Sequence, residues 1–408
     1  MRLPFLPPSP APQPVRVCRA RSRVGLRIFR CAALATVLLA VPAMARPRPI
    51  EVKVVVVAMF EVGADTGDQP GELQRWVEFD HLDRVYPLPA AYHAARMNAA
   101  GEMAIVTGQG AAHAAATIMA LGLDPRFDFS HAYWMIAGIA GASPDRASLG
   151  SAVWARWVVD GNLAYEIDAR EIPSDWTIGF VPLRKSRPFE PPAVPLDGQV
   201  FALNPDLAQW AFNLSRATSL PDSERLRTIR AGFDGEAALR PPFVTLGDEL
   251  SSSTYWHGNR FDAWANQWVR YFTGGRGEFA TTAMEDTGTL QSLQFLARAK
   301  RVDWQRILIL RTVSNYDRPA RGQTAAESLE SQRAGTSGAF LPAIDSAYTV
   351  GHVVVSELLN HWPRYRAAPG TSTPHKSSSR SVDVDREQPT PSANGQPQRA
   401  GRSRALMR

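Results

Sequence analysis

The chain has 408 residues, with 45 Lys/Arg against 39 Asp/Glu for a formal charge of +6, a length that suits one large α/β domain or two small ones. The charge is uneven: residues 1–45 hold seven Arg and no acid, residues 367–408 hold seven Lys/Arg and three acids, and the 46–366 core is left at −5. A net acidic core argues against a nucleic-acid-binding domain.

In chain order, residues 1–45 read as a signal peptide: a basic segment, a short apolar run over 31–41, and Ala43-Met44-Ala45 as the cleavage site. A membrane anchor is the competing reading, but that run is well short of the ~20 residues a spanning helix needs. The basic segment is long, so a start further in, near Val24, also fits. Export to a periplasm is the expectation. Both cysteines, Cys18 and Cys31, fall in the leader, so the mature protein would have no disulfide, thiolate nucleophile or cysteine metal site.

Residues 50–59 form a continuous β-branched run, as in a buried parallel strand. Further strands are expected at 103–107, 133–137, 151–160, 243–246, 279–283 and 306–310. Helices are expected at 111–121, at 205–217 (Asn204 as N-cap, Pro205 first), at 287–300 and at 347–362. Such alternation predicts a three-layer, doubly wound α/β sheet flanked by helices. Residues 161–240 read as an elaboration of the same domain. Residues 367–408, rich in Ser, Pro, Gln, Arg and Gly, are expected to be disordered.

Polar residues gather just past the expected strands, where α/β sheets bind ligands. After 50–59 comes an acidic loop with Glu61, Asp65 and Asp68. Glu61 is placed to act as a general base on water, although a solvated loop explains it as well. Gly108 and Gly110 follow the next strand and open an Ala-rich helix; Gly138 and Gly141 follow the one after. Each pair alone is a tight turn, and together they suggest one pocket. Tyr255 and Trp256 offer a face for a flat base, whereas Trp264, Trp268 and Tyr271 sit at helical spacing and read as core. His257 has no partner at ligand spacing, so no metal site is expected. In Ala283-Met284-Glu285-Asp286-Thr287-Gly288 a carboxylate beside a thioether suits a ribose. The second strand ending carries Ser314, Asn315 and Asp317, and an Asn offers the donor and acceptor that a purine's N7 and O6 edge requires. A helix-start acid and a polar loop account for these two stretches equally well.

In this order the pieces resemble the purine nucleoside permease family over nearly all of 50–366, most specifically at 251–258, 281–288 and 311–319. More distantly they are similar to nucleoside phosphorylases and nucleosidases. That resemblance implies a phosphorylase-like fold and a purine nucleoside pocket lined by 107–110, Gly138, Gly141, Tyr255, Met284-Glu285, Ser314-Asn315 and Asp317. It implies that Glu285 holds the ribose 2′- and 3′-hydroxyls, that Met284 packs on the sugar, and that Asn315 meets the purine edge. Glu61 matches the nucleosidases' catalytic Glu with a register offset of one. It implies no cofactor, and assembly as a homo-oligomer, since related phosphorylases assemble. After the leader no apolar run of 18 or more residues exists, so the resemblance implies a nucleoside-binding or nucleoside-cleaving component of uptake rather than a pore. N-glycosidic hydrolysis and binding alone both stay open; phosphorolysis is disfavoured by the acidic first loop.

Overall fold

The computed structural model describes residues 48–367. The expected signal peptide, both cysteines and the tail beyond residue 367 lie outside the described residues. The elements begin with β1 (Ile50–Glu51), β2 (Val54–Ala58), α1 (Gln74–Phe79), β3 (Arg84–Tyr86), β4 (Ala95–Met97) and β5 (Glu102–Val106). Next come α2 (Ala111–Gly122), β6 (Phe127–Asp128), β7 (Tyr133–Ala142), β8 (Ala152–Asp160), β9 (Ala164–Glu166), β10 (Phe180–Pro182) and β11 (Val200–Ala202). Helices α3 (Pro205–Ser215), α4 (Glu224–Arg230) and α5 (Glu236–Leu239) lead to β12 (Val244–Ser251), α6 (Asn259–Phe272), β13 (Phe279–Ala283) and α7 (Asp286–Arg298). The described chain ends with β14 (Ile307–Tyr316), α8 (Ala325–Arg333), α9 (Phe340–Asn360) and α10 (Trp362–Ala367).

Alternation along the strands explains the layers. Val55, Val57, Ile105, Trp134, Ile136 and Ile309 point to one face, where Ile118 and Leu121 of α2 and Leu290, Leu293 and Leu296 of α7 cover them. Val54, Val56, Tyr133, Met135, Leu308 and Leu310 point to the other, covered by Trp76 of α1, Leu207 of α3 and Val350, Val354 and Leu358 of α9. With both faces covered, the strands read as unbroken apolar runs. Trp264 and Trp268 are buried in a further cluster against Phe279 and Leu250, as their spacing predicts; Tyr271 is only partly buried and donates to Glu190 O.

The mixed α/β sheet with flanking helices is as expected, but it is not simply open. Nine strands run in the order β11-β8-β12-β13-β7-β2-β5-β4-β3, and a tenth, β14, pairs with both β7 and β8. Strands β7, β14, β8, β12 and β13 therefore close into a ring. Register shifts at Asp248/Glu249 and at Val313/Asn315 accompany the closure, since a bulge bends its strand and raises the local twist. Strands β7 and β14 also run ten residues each, well past the five apiece that apolarity alone suggested. Strand β13 is antiparallel to β7 and meets it at Thr281–Ala142 and Thr282–Gly141, near both C-terminal ends. Strand ends of opposite direction thus converge on one place, and the site lies there.

Candidate functional site

A cavity of about 180 Å³ occupies that convergence. Its walls are Met59, Phe60 and Glu72 after β2, Gln109 after β5, Ile139–Gly141 of β7, and Ser252, Thr254, Tyr255 and Trp256 after β12. Thr282 and Ala283 of β13, Met284 and Glu285 after it, Ser314 and Asn315 of β14 and Asp317 just past it complete it. Past Ile139, Tyr255, Ser314 and Asn315 lies a wider, mainly apolar hollow of about 830 Å³, walled also by Leu329, Phe340, Leu341 and Pro342.

Glu285 lines the cavity and does not cap α7. It occupies the N-cap position of α7 yet makes no side-chain bond to that helix. Instead Oε1 accepts Gly110 N–H at 3.0 Å and Oε2 accepts Met284 N–H at 3.2 Å. Each oxygen keeps a second lone pair, which suits two neighbouring hydroxyls. Burial raises its pKa; Arg311 opposes the rise. Asp286, one residue on, is the acid of the first helical turn and binds Arg311, with Nε to Oδ2 at 2.9 Å and Nη2 on Oδ1.

Arg311 is 1% exposed and also faces Glu249 at 3.7 Å and Glu285 at 3.8 Å. One buried guanidinium thus serves several carboxyls. The excess acid must bind protons: no donor reaches either Glu249 oxygen, and burial, then the charge of Asp286, hold its pKa well above the usual range.

Glu72 is the site residue that sequence reasoning missed. It is 4% exposed, and its oxygens accept Met59 N–H and Ile139 N–H, both at 2.7 Å. Burial pushes its pKa up to about 8, with Arg311 and those two amides resisting. Gly138 makes room for it: a Cβ there would sit 2.5 Å from Glu72 Oε1 and 2.8 Å from Arg311 Nη1.

Glu61, expected as the base, does not line the cavity. Its carboxylate accepts the amides of Val62 (2.8 Å), Gly71, Leu73 (2.8 Å) and Gln74 (2.6 Å), so it ties the loop onto the start of α1. The loop folds back, and Glu72 at its far end takes the place beside the cavity that Glu61 was expected to fill.

The remaining expectations divide. Gly141, Tyr255, Met284, Glu285, Ser314, Asn315 and Asp317 line the cavity; Gly108, Gly110 and Gly138 do not. Gly110 hands its amide to Glu285 at a φ of +86°, and Gly108, at +82°, lies under the Tyr92 ring. These glycines stand just outside the cavity lining.

Asn315 Nδ2 donates to Tyr255 Oη at 2.9 Å and Tyr316 O at 3.3 Å, while its Oδ1 lies 2.9 Å from Ser314 Oγ. Tyr255 Oη donates in turn to Gln332 at 2.7 Å. Asp317 is 1% exposed, and no N–H or O–H donor reaches either carboxyl oxygen. His257 is partly buried, neither ring nitrogen has a hydrogen-bond partner, and burial lowers its pKa. Among the described residues no group of three or more His, Cys, Asp or Glu is arranged to hold a metal ion, and no helix is long and apolar enough to cross a membrane.

Comparison with known proteins follows the same span. The family model for purine nucleoside permease matches residues 51–369. A probable purine nucleoside permease of Schizosaccharomyces pombe is 32% identical over 289 residues, covering 69% of this chain and 81% of the relative. The purine nucleoside permease of Candida albicans is 28% identical over 264 residues, 64% of each chain. Among solved structures, futalosine hydrolase of Helicobacter pylori matches with a TM-score of 0.44 and 14% identity, covering 75% of this chain and 98% of that one. The 5′-methylthioadenosine/S-adenosylhomocysteine nucleosidase of Neisseria meningitidis gives 0.43 and 16%, covering 76% and 99%.

Proposed function

The chain belongs to the purine nucleoside permease family, and from that premise we propose that it is an exported protein that binds a purine nucleoside and hydrolyses its N-glycosidic bond. The observation that carries the reading is the pair of buried carboxyls in one cavity, Glu72 and Glu285, each with its oxygens fixed by backbone amides. Glu285 would take the ribose 2′- and 3′-hydroxyls, with Met284 on the sugar. Glu72 would accept a proton from the water that attacks the anomeric carbon, the role first expected of Glu61. The aromatic face of Tyr255 or Trp256 would hold the base, its edge toward Asn315.

Water is favoured over phosphate as the nucleophile. The cavity wall has three carboxyls (Glu72, Glu285, Asp317) and no Lys or Arg, so a phosphate would meet only repulsion or neutral acids. Arg311 is committed to Asp286 beneath the wall. A second reading, nucleoside binding without cleavage in support of uptake, is favoured by an amide rather than an acid at position 315.

Incubating the protein with inosine or adenosine, with and without phosphate, separates these. Hydrolysis predicts base release at the same rate in both. Release that requires phosphate overturns the choice of water, and tight binding of a nucleoside recovered intact leaves binding alone.

A further inference from the structure

The chain leaves the sheet at the end of β14, forms α8 and returns at Phe340 to start α9. Beside this excursion lies the hollow of about 830 Å³, lined by Leu329 of α8 and Phe340, Leu341 and Pro342 of α9. Leu341 is 43% exposed and the other three are half-buried, so apolar surface stands in water where an occupant can cover it. The wall is also pinned. Thr324 and Glu327 form a capping box at the start of α8. Arg225 donates to Gly335 O at 2.7 Å and to Gly338 O at 2.9 Å, which fixes the turn between α8 and α9. Gln332 donates to Tyr316 O at 2.8 Å and accepts the Tyr255 hydroxyl at 2.7 Å. A preformed apolar space costs a ligand little ordering of the protein.

The way the hollow joins the cavity says which part of a nucleoside reaches it. Ile139, Tyr255, Ser314 and Asn315 line both spaces, whereas Glu72, Met284 and Glu285 line the cavity alone. In the reading above Glu285 and Met284 hold the sugar, and Asn315 meets the purine at N7 and the six-position. The hollow therefore begins where that purine edge ends. Its charges say what it takes. The lining has no acid, and its two cations are engaged, Arg225 with the two carbonyls and Arg333 with Glu330 at 3.1 Å.

We propose that the hollow is a subsite for an uncharged, apolar substituent on the six-position of the purine, so that N6-alkyl or N6-aryl adenosines bind in preference to adenosine. The proposal rests on the nucleoside orientation given above, not on whether the bond is then cleaved. A single substituent leaves one N–H on N6. Asn315 Oδ1, which accepts the Ser314 hydroxyl at 2.9 Å, keeps a second lone pair for it.

The test is calorimetry with adenosine and two matched series, N6-alkyladenosines from methyl to pentyl and 5′-alkylthio-5′-deoxyadenosines of the same chain lengths. Where a nucleoside is cleaved, kcat/KM takes the place of Kd. Affinity should rise about two- to fourfold per methylene in the N6 series, while the 5′ series stays flat. Leu341→Glu puts a charge at an exposed position of the hollow and should flatten the N6 series. A gain confined to the 5′ series, or no gain in either while adenosine binds, overturns the subsite and leaves the nucleoside reading standing. An N6 gain that Leu341→Glu does not reduce places the substituent elsewhere and overturns it too. An N6-carboxyalkyl adenosine that binds more tightly than its alkyl counterpart overturns the apolar assignment. A wild type that binds neither adenosine nor any member of either series overturns both readings. If Leu341→Glu fails to fold, the contrast between the two series on wild type still decides.

Discussion

The cavity wall holds its acids in two different ways. Glu72 and Glu285 each accept two backbone amides and share the field of Arg311. Asp317, by contrast, accepts no donor and faces a second acid, Asp262. Amide donors fix the direction of a carboxyl's lone pairs and favour its charged form; their absence favours the neutral form and leaves its proton available. Burial raises the pKa of all three, with Arg311 and backbone amides opposing the rise at Glu72 and Glu285 and Arg318 opposing it at Asp317.

The largest expected effect comes from removing the accepting acid. Glu72→Gln should lower the rate of base release by about 10²- to 10⁴-fold, with nucleoside binding largely kept, as measured by calorimetry alongside turnover. The wild-type pH dependence sharpens this. As a base Glu72 must be ionised, so kcat/KM should rise as pH approaches about 8. Its contribution to stability has the opposite sign. A carboxyl whose folded pKa is raised from 4.5 to about 8 stabilises the fold below pH 4.5, and that contribution is lost as pH rises through about 8. Activity rising while this part of the stability falls is the signature; a flat rate across that range removes Glu72 from the chemistry.

Next in size is Glu285→Gln. A side-chain amide accepts at one atom only, so it loses one of the two backbone bonds as well as the charge offered to the ribose. Hydrogen bonds to charged groups contribute about 1.5–3 kcal/mol, so affinity or kcat/KM for a ribonucleoside should fall roughly 10- to 150-fold. A 2′-deoxynucleoside should lose less, because one of the two hydroxyl bonds is already missing. Equal losses for both sugars would return Glu285 to a purely structural role.

Much of this arrangement was legible in the sequence. Met284-Glu285 and Ser314-Asn315 could be placed because they directly follow apolar runs, and the end of a buried strand is where an α/β sheet exposes polar groups to a ligand. The sheet's closure was not legible, because it depends on register shifts around Asp248 and Val313 and on the polar continuations of β7 and β14. Gly138 was read as a ligand-facing turn, whereas the space it leaves is filled by Glu72 and Arg311. Glu72 itself gave no local signal: it precedes a short helix in a polar stretch, and only the return of the 61–71 loop brings it to Met59 and Ile139. The leader and the tail remain as the sequence left them.

The smallest effect separates Glu61, which the sequence singled out, from Glu72, which it did not. Glu61 caps α1 and its approach loop through four backbone amides, with no face on the cavity. Glu61→Gln keeps the shape of the side chain but loses acceptor capacity, so the cost is that of a weakened helix cap, about 1 kcal/mol. It should appear as a modest drop in unfolding midpoint, with nucleoside affinity unchanged and the pH–rate profile intact. The loop does hold Glu72 in place, and Glu72 sits directly between Gly71 and Leu73, whose amides Glu61 binds. A small fall in rate that tracks the loss of stability is therefore compatible with capping. A loss approaching that of Glu72→Gln, in a variant that melts normally, would instead make Glu61 the base and move the chemistry to the other side of the loop.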